Sequence, residues 1–207
     1  MHPSRPIAPR PGGRSARVQE AVHRATRELL AEHGREALTV PLIAARAGVT
    51  PSTVYRRWGD LDDLLADVSV ERLRPDGEPA DTGSLRGDLQ AWAEQYNEEM
   101  GSDLGRGMLR DVLSALSPAD RPACRCAAFT AAQMEVMLER ARARGEAVPG
   151  VQRVMDHLVA PLVYRLLFTT APASAEEIAH WVRQCVDAPA PPAVLTRTRP
   201  RRPQAPA

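Results

Sequence analysis

Residues 38–64 read LTVPLIAARAGVTPSTVYRRWGDLDDL, and this stretch decides the fold. Thr39 is a helix N-cap, because its hydroxyl can accept from an unpaired backbone N–H one turn on. Val40 and Pro41 follow in the first turn, where a missing N–H costs nothing. Leu42, Ile43, Ala44, Ala45 and Ala47 supply an apolar face with small residues for close packing. Gly48 stands where the helix must stop and the chain must turn, since glycine takes positive φ freely. Thr50 then caps a second helix with Pro51 at its first position. Helix, glycine turn and helix within about twenty residues form the helix-turn-helix pattern, whose second helix enters the DNA major groove.

The second helix is predicted over about Pro51 to Trp58. Val54 and Trp58 lie four apart and share an inward face. Ser52, Tyr55 and Arg56 share another face, with Thr53 and Arg57 beside it. That outer side carries hydroxyls, a phenol and two guanidiniums, groups that donate to bases and phosphates, and no carboxylate. The plain alternative is a surface helix of an all-α protein.

Charge is distributed to match. The chain of 207 residues has a net charge of +1. Residues 1–59 hold ten Arg against four Glu, whereas residues 60–196 hold thirteen Arg against 22 acids. A basic first quarter fits a polyanion, and the acidic remainder should face away from it. No apolar run approaches the roughly 18 residues that span a bilayer. The opening MHPSRPIAPRPGGRSAR lacks the apolar core of a secretory signal. Three cysteines do not make a disulfide framework. The expectation is a cytoplasmic protein.

Several of these positions agree in register with a known family. Ile43-Ala44, Ala47-Gly48-Val49, Tyr55, the aromatic Trp58 and Leu64-Leu65 resemble the N-terminal domain of the tetracycline-repressor (TetR) family of bacterial transcriptional regulators. The resemblance runs from Leu29 to Leu64. It implies a two-domain all-α protein that dimerises and binds a near-palindromic operator in double-stranded DNA. It also implies that the positions of Thr50, Pro51, Ser52 and Thr53 approach base edges, that Tyr55 contacts a phosphate, and that Arg56 and Arg57 touch DNA. With the cap Thr39, these eight are the candidate DNA-binding residues. In the family a Lys usually meets the backbone phosphates near the start of the next helix; here that position is Leu61.

The remaining periodicity is helical throughout, so the fold class is all-α. Residues 1–14 are predicted to be a disordered basic arm whose Arg10 and Arg14, with Arg17 just beyond, are candidates for phosphate or minor-groove contact. Residues 15–59 form the DNA-binding domain, 60–187 a helical ligand-binding and dimerisation domain, and 188–207 a disordered tail. Within the second domain, Ser117-Pro118-Ala119-Asp120 reads as a helix start, Ser174 to Glu177 as a capping box, and Pro161 as a kink. Trp92, Tyr96, Met100, Met108, Phe129, Met134 and Tyr164 are candidates to line a cavity for a small apolar or amphipathic ligand. The last two helices are apolar over a wide arc, which suggests a homodimer surface of Leu158, Leu162, Leu166, Ile178, Trp181, Val182 and Cys185. Plain core is the competing explanation for both groups. Cys124 and Cys126 point apart on a helix and cannot readily chelate one ion. No metal site, cofactor or catalytic motif is expected. The function so implied is a DNA-binding regulator, a repressor released by its ligand. The alternative is an all-α ligand-binding protein or enzyme whose helix-turn-helix is structural.

Overall fold

The computed structural model describes residues 13–115 and 122–187. The arm through residue 12, the start signal at 117–120 and the tail from 188 lie outside the described residues. Every element among the described residues is helical. The helices are α1 (Arg14–His33), α2 (Val40–Ala47), α3 (Pro51–Trp58), α4 (Leu61–Arg72), α5 (Leu85–Gly101), α6 (Asp103–Ser114), α7 (Pro122–Ala143), α8 (Val151–Val154), α9 (Ala160–Phe168) and α10 (Ala175–Val186).

Two apolar clusters hold them. In the first, Val22, Ala25 and Leu29 of α1 close over Ile43 and Ala44 of α2, Val54 and Trp58 of α3, and Leu64, Leu65 and Val68 of α4. Each fully buried Leu contributes about 1.5–3 kcal/mol relative to exposure. In the second, Leu85, Leu89 and Trp92 of α5 meet Met134, Met137 and Leu138 of α7, with Leu158, Leu162, Leu166, Ile178, Val182 and Cys185 from the end of the chain. Helix α4 closes the first cluster and also packs along α6 and α7, so it is the joint between head and body.

Local chemistry sets the boundaries. Asp60 caps α4 through Asp63 N (2.8 Å), and Ser174 with Glu177 forms the expected capping box on α10. Pro161 does not break the chain. The turn before it, Met155–Val159, widens to a π turn in which Ala160 N–H reaches back to Met155 O, and α9 starts at once. An extra residue per turn accommodates a ring that has no N–H and would crowd the carbonyl four residues back. Arg106 on α6 donates to the carbonyls of Leu166 (2.6 Å) and Thr169 (2.8 Å), a cation at the negative end of α9.

Two groups of expectations are corrected by this packing. Leu158, Leu162, Leu166, Ile178, Val182 and Cys185 are fully buried inside the single chain's own second core and form no outer surface of it; of that set Trp181 keeps some exposure. The apolar residues that α9 turns outward are Tyr164 (61% exposed) and Phe168 (71%), whose rings lie 5.0 Å apart. Tyr164 is therefore on the outer surface of the single chain.

Candidate nucleic-acid interface

The turn between α2 and α3 is built as its residues require. Thr39 Oγ1 accepts from Leu42 N (3.3 Å), and Gly48 takes the left-handed conformation (φ 68°, ψ 32°) that ends α2. Val49 N then closes back on Ala44 O (3.0 Å). Thr50 stands at the cap position of α3 in extended backbone, but its hydroxyl does not take a first-turn amide. It bonds instead to Ser52 Oγ (3.0 Å) and Thr53 Oγ1 (2.9 Å). The expected side-chain cap is thus replaced by a cluster of three hydroxyls at the start of α3. First-turn N–H groups carry partial positive charge there, so hydroxyls and amides together form a donor-rich end.

Burial orients the helix. Val54 and Trp58 are buried, which leaves Pro51, Ser52, Tyr55 and Arg56 exposed. Arg56 has no hydrogen-bonded or ion-paired partner among the described residues. Arg57 behaves otherwise. Its guanidinium folds back over Trp58 (5.2 Å to the ring centroid) and donates to Ser15 Oγ (2.8 Å), Ser15 O (3.2 Å) and Gln19 Oε1. Arg57 stays exposed, but in the DNA-free protein its guanidinium also pins the start of α1 to α3. That contact brings Arg14 into a concavity it shares with Val49, Thr50, Thr53, Arg56 and Arg57 itself. Leu61 packs against the first core, with Asp60 and Asp63 in the adjacent cap.

Beneath α3 lies a group that the sequence patterns did not mark. Asp67 of α4 accepts from Trp58 Nε1 (2.9 Å) and meets His23 Nε2 (2.9 Å), while Arg125 of α7 donates to its other oxygen (3.0 Å). Burial alone would raise this carboxyl, but the bonds from His23, Trp58 and Arg125 hold it well below the usual carboxylate range. A second tie joins head to body where Arg35 donates to Asp62 (2.9 Å) and to Asp111 of α6.

A cavity of about 310 Å³ opens between the end of α4, the loop that follows it, α5 and α7. Trp92, Tyr96, Met100 and Phe129 line it, joined by Gln95, Thr130 and Gln133. Trp92 stacks on Tyr96 (4.9 Å) and donates to Gln133 Oε1 (2.8 Å). Burial pushes the Tyr96 phenol up to about 12, so it is neutral. Met134 is fully buried in the core and Met108 packs against that core, so neither is among the lining residues. Arg140 of α7 holds the roof, donating to Pro79 O (2.7 Å) and Glu78 (2.6 Å). Among the described residues no cluster of His, Cys, Asp and Glu could hold a metal, and no helix is long and apolar enough to cross a membrane.

Comparison with known proteins places this geometry. The family model described as bacterial regulatory proteins, tetR family, matches residues 23–68, and the tetracyclin repressor-like C-terminal domain matches 79–185. An HTH-type transcriptional regulator of Mycobacterium tuberculosis, Rv1556, is 44% identical over 64 residues, 31% of this chain and 32% of that protein. The HTH-type transcriptional regulator AqdR of Rhodococcus erythropolis is 34% identical over 82 residues, 40% of each chain. The chain thus aligns with well under half the length of these curated relatives. Among solved structures, the TetR family transcription regulator SCO0332 matches with a TM-score of 0.61 at 26% identity, over 86% of this chain and 98% of that one. The Thermus thermophilus repressor FadR, solved with lauroyl-CoA, shares the fold with a TM-score of 0.54 at 23% identity, over 84% of this chain and 98% of that one.

Proposed function

Since the chain belongs to the TetR family of bacterial regulatory proteins, we propose that it binds double-stranded DNA through α3, as a homodimer, and represses until a small molecule enters the cavity between α4, α5 and α7. The observation that carries this reading is the exposed face of α3, with its hydroxyl cluster, Tyr55 and Arg56, which has no partner among the described residues, set opposite the buried Val54 and Trp58. Thr50, Pro51, Ser52 and Thr53 approach base edges. Thr39, Tyr55 and Arg56 meet phosphates, and Arg14, which shares a concavity with Arg56, supplies a charge that Leu61 cannot. A helix-turn-helix kept only for structure would have no use for such a face, so the enzyme or carrier alternative is not favoured.

The test is fluorescence anisotropy on duplexes that the protein itself selects from a random pool. Affinity is expected to fall steeply with salt. Arg56→Ala is expected to weaken binding about tenfold and to flatten the log–log salt slope by about 1. A salt-independent affinity that Arg56→Ala leaves unchanged would overturn the reading.

The dimer rests on the outer faces of α9 and α10. Tyr164 and Phe168 form an exposed aromatic pair, and Trp181 stands partly exposed on the neighbouring helix. Tyr164→Glu with Phe168→Glu is expected to give a folded monomer by analytical ultracentrifugation. A dimer that survives both charges places the interface elsewhere.

A further inference from the structure

Asp67 and Arg125 join two helices, and both helices reach the cavity. Five residues after Asp67, Arg72 at the end of α4 lines it. One turn after Arg125, Phe129 and Thr130 of α7 line it from the other side. The pair is therefore a strap across the same α4–α7 crevice, beyond the ligand cavity and next to the head. The carboxylate it engages is also the acceptor of Trp58 Nε1 at the end of α3 and the partner of His23 in α1. Arg35, by contrast, ties the head to α6 through Asp111, and no residue of α6 lines the cavity. Both ties engage α4, but only the Asp67–Arg125 pair joins two helices that line the cavity.

We infer that Asp67 and Arg125 form the relay by which cavity occupancy reaches the recognition helix. The inference rests on the ligand-responsive reading above and assigns its wiring. A ligand that wedges α7 away from α4 draws Arg125 off Asp67. The carboxylate then loses the cation that fixes one of its oxygens, and the oxygen holding Trp58 moves with it. The end of α3 shifts relative to α1, while the Arg35 tie serves as the pivot. Asp67 and Arg125 are positioning residues in this scheme, since they act on α3 through Trp58.

The experiment replaces the unidentified ligand with a side chain. Thr130→Phe fills the cavity from α7, and Gln95→Phe fills it from α5, so failure of one variant to fold leaves the other. The readout is the Trp58 indole N–H resonance in ¹⁵N-tryptophan-labelled, DNA-free protein, assigned with Trp92→Phe and Trp181→Phe. Either filled cavity is expected to shift that resonance in the parent protein and not in the Arg125→Met background, with Arg125→Lys restoring part of the shift. On selected duplexes the filled cavity is expected to lower affinity about tenfold in the parent and by less than about twofold with Arg125→Met, the size usual for coupling between sites. A Trp58 resonance that ignores both fillings, or one that shifts equally with Arg125→Met, overturns the relay. If the resonance behaves as expected and no duplex is selected, the relay stands and the DNA-binding reading fails.

Discussion

Asp67→Ala is expected to lower the unfolding free energy by about 2 kcal/mol, the usual cost of removing a shared acceptor from a half-buried set of charged hydrogen bonds. The carboxylate is the shared acceptor of Trp58 Nε1, Arg125 and, at 3.4 Å, Gln19 Nε2, and it faces His23. His23 and Trp58 are buried, so water replaces the lost acceptor poorly even though Asp67 and Arg125 themselves border an open pocket. Leaving a buried donor unpaired costs more than the bond was worth, and here several groups lose one partner together. Gln19→Ala removes a long contact to Asp67 and one of the bonds from Arg57, and is expected to cost no more than about 1 kcal/mol. Urea denaturation separates the two. The pH dependence follows from the direction of the carboxyl's shift. Its folded pKa lies below the unfolded value near 4, so its contribution is complete above about pH 4 and is lost as pH falls toward the folded value. Asp67→Asn should therefore flatten the acid limb of the stability curve. It should also weaken DNA binding, because α3 loses the anchor at its last turn. A variant as stable as the parent at pH 7 would sink the view that this group holds head to body.

The head was readable in advance because its signals are local. Thr39, Gly48, Pro51 and the Val54–Trp58 pair each act within one turn, and the structure builds the predicted elements from them. Helix geometry alone did not give the partners of Arg57. Its Cα faces outward, but a long stem lets the guanidinium lie back on Trp58 and reach α1. The body was less readable. A stripe such as Leu158, Leu162 and Leu166 has the same composition whether a monomer core or a partner covers it, so periodicity cannot separate the two cases. Tyr164 and Phe168 lie off that stripe and carry the exposed apolar area. Asp67 sits in the apolar run Leu64-Leu65-Ala66-Asp67-Val68, where an acid on an inward face signals a buried partner. Finding that partner requires the fold, because His23 and Arg125 lie 44 and 58 residues away.

The second large effect is expected at Gly105, where helix propensity and packing oppose each other. Gly105 and Gly107 both lie inside α6, and alanine is favoured over glycine in a helix by about 1 kcal/mol. At Gly107 a Cβ would meet nothing within 4 Å, so Gly107→Ala is expected to raise stability by about 0.5–1 kcal/mol. At Gly105 the same atom would lie 2.3 Å from Glu99 O and 2.5 Å from Met100 Cα. Those are backbone atoms at the end of α5, and they cannot swing aside as a side-chain tip does. The crossing is held tight by Ser102, whose hydroxyl donates to Glu99 O (2.7 Å) and accepts from Gly105 N (3.0 Å). Relief requires moving one helix off the other. Overpacking of this kind costs about 3 kcal/mol, which exceeds the propensity gain and leaves a net loss near 2 kcal/mol. For a chain of this size that lowers the melting temperature by about 4–8 °C. Thermal melts followed by circular dichroism are expected to move in opposite directions for two substitutions only two residues apart. Equal shifts would mean that α6 does not press on α5 as described. Met100, which lines the cavity, is the residue displaced, so Gly105→Ala should also distort that cavity.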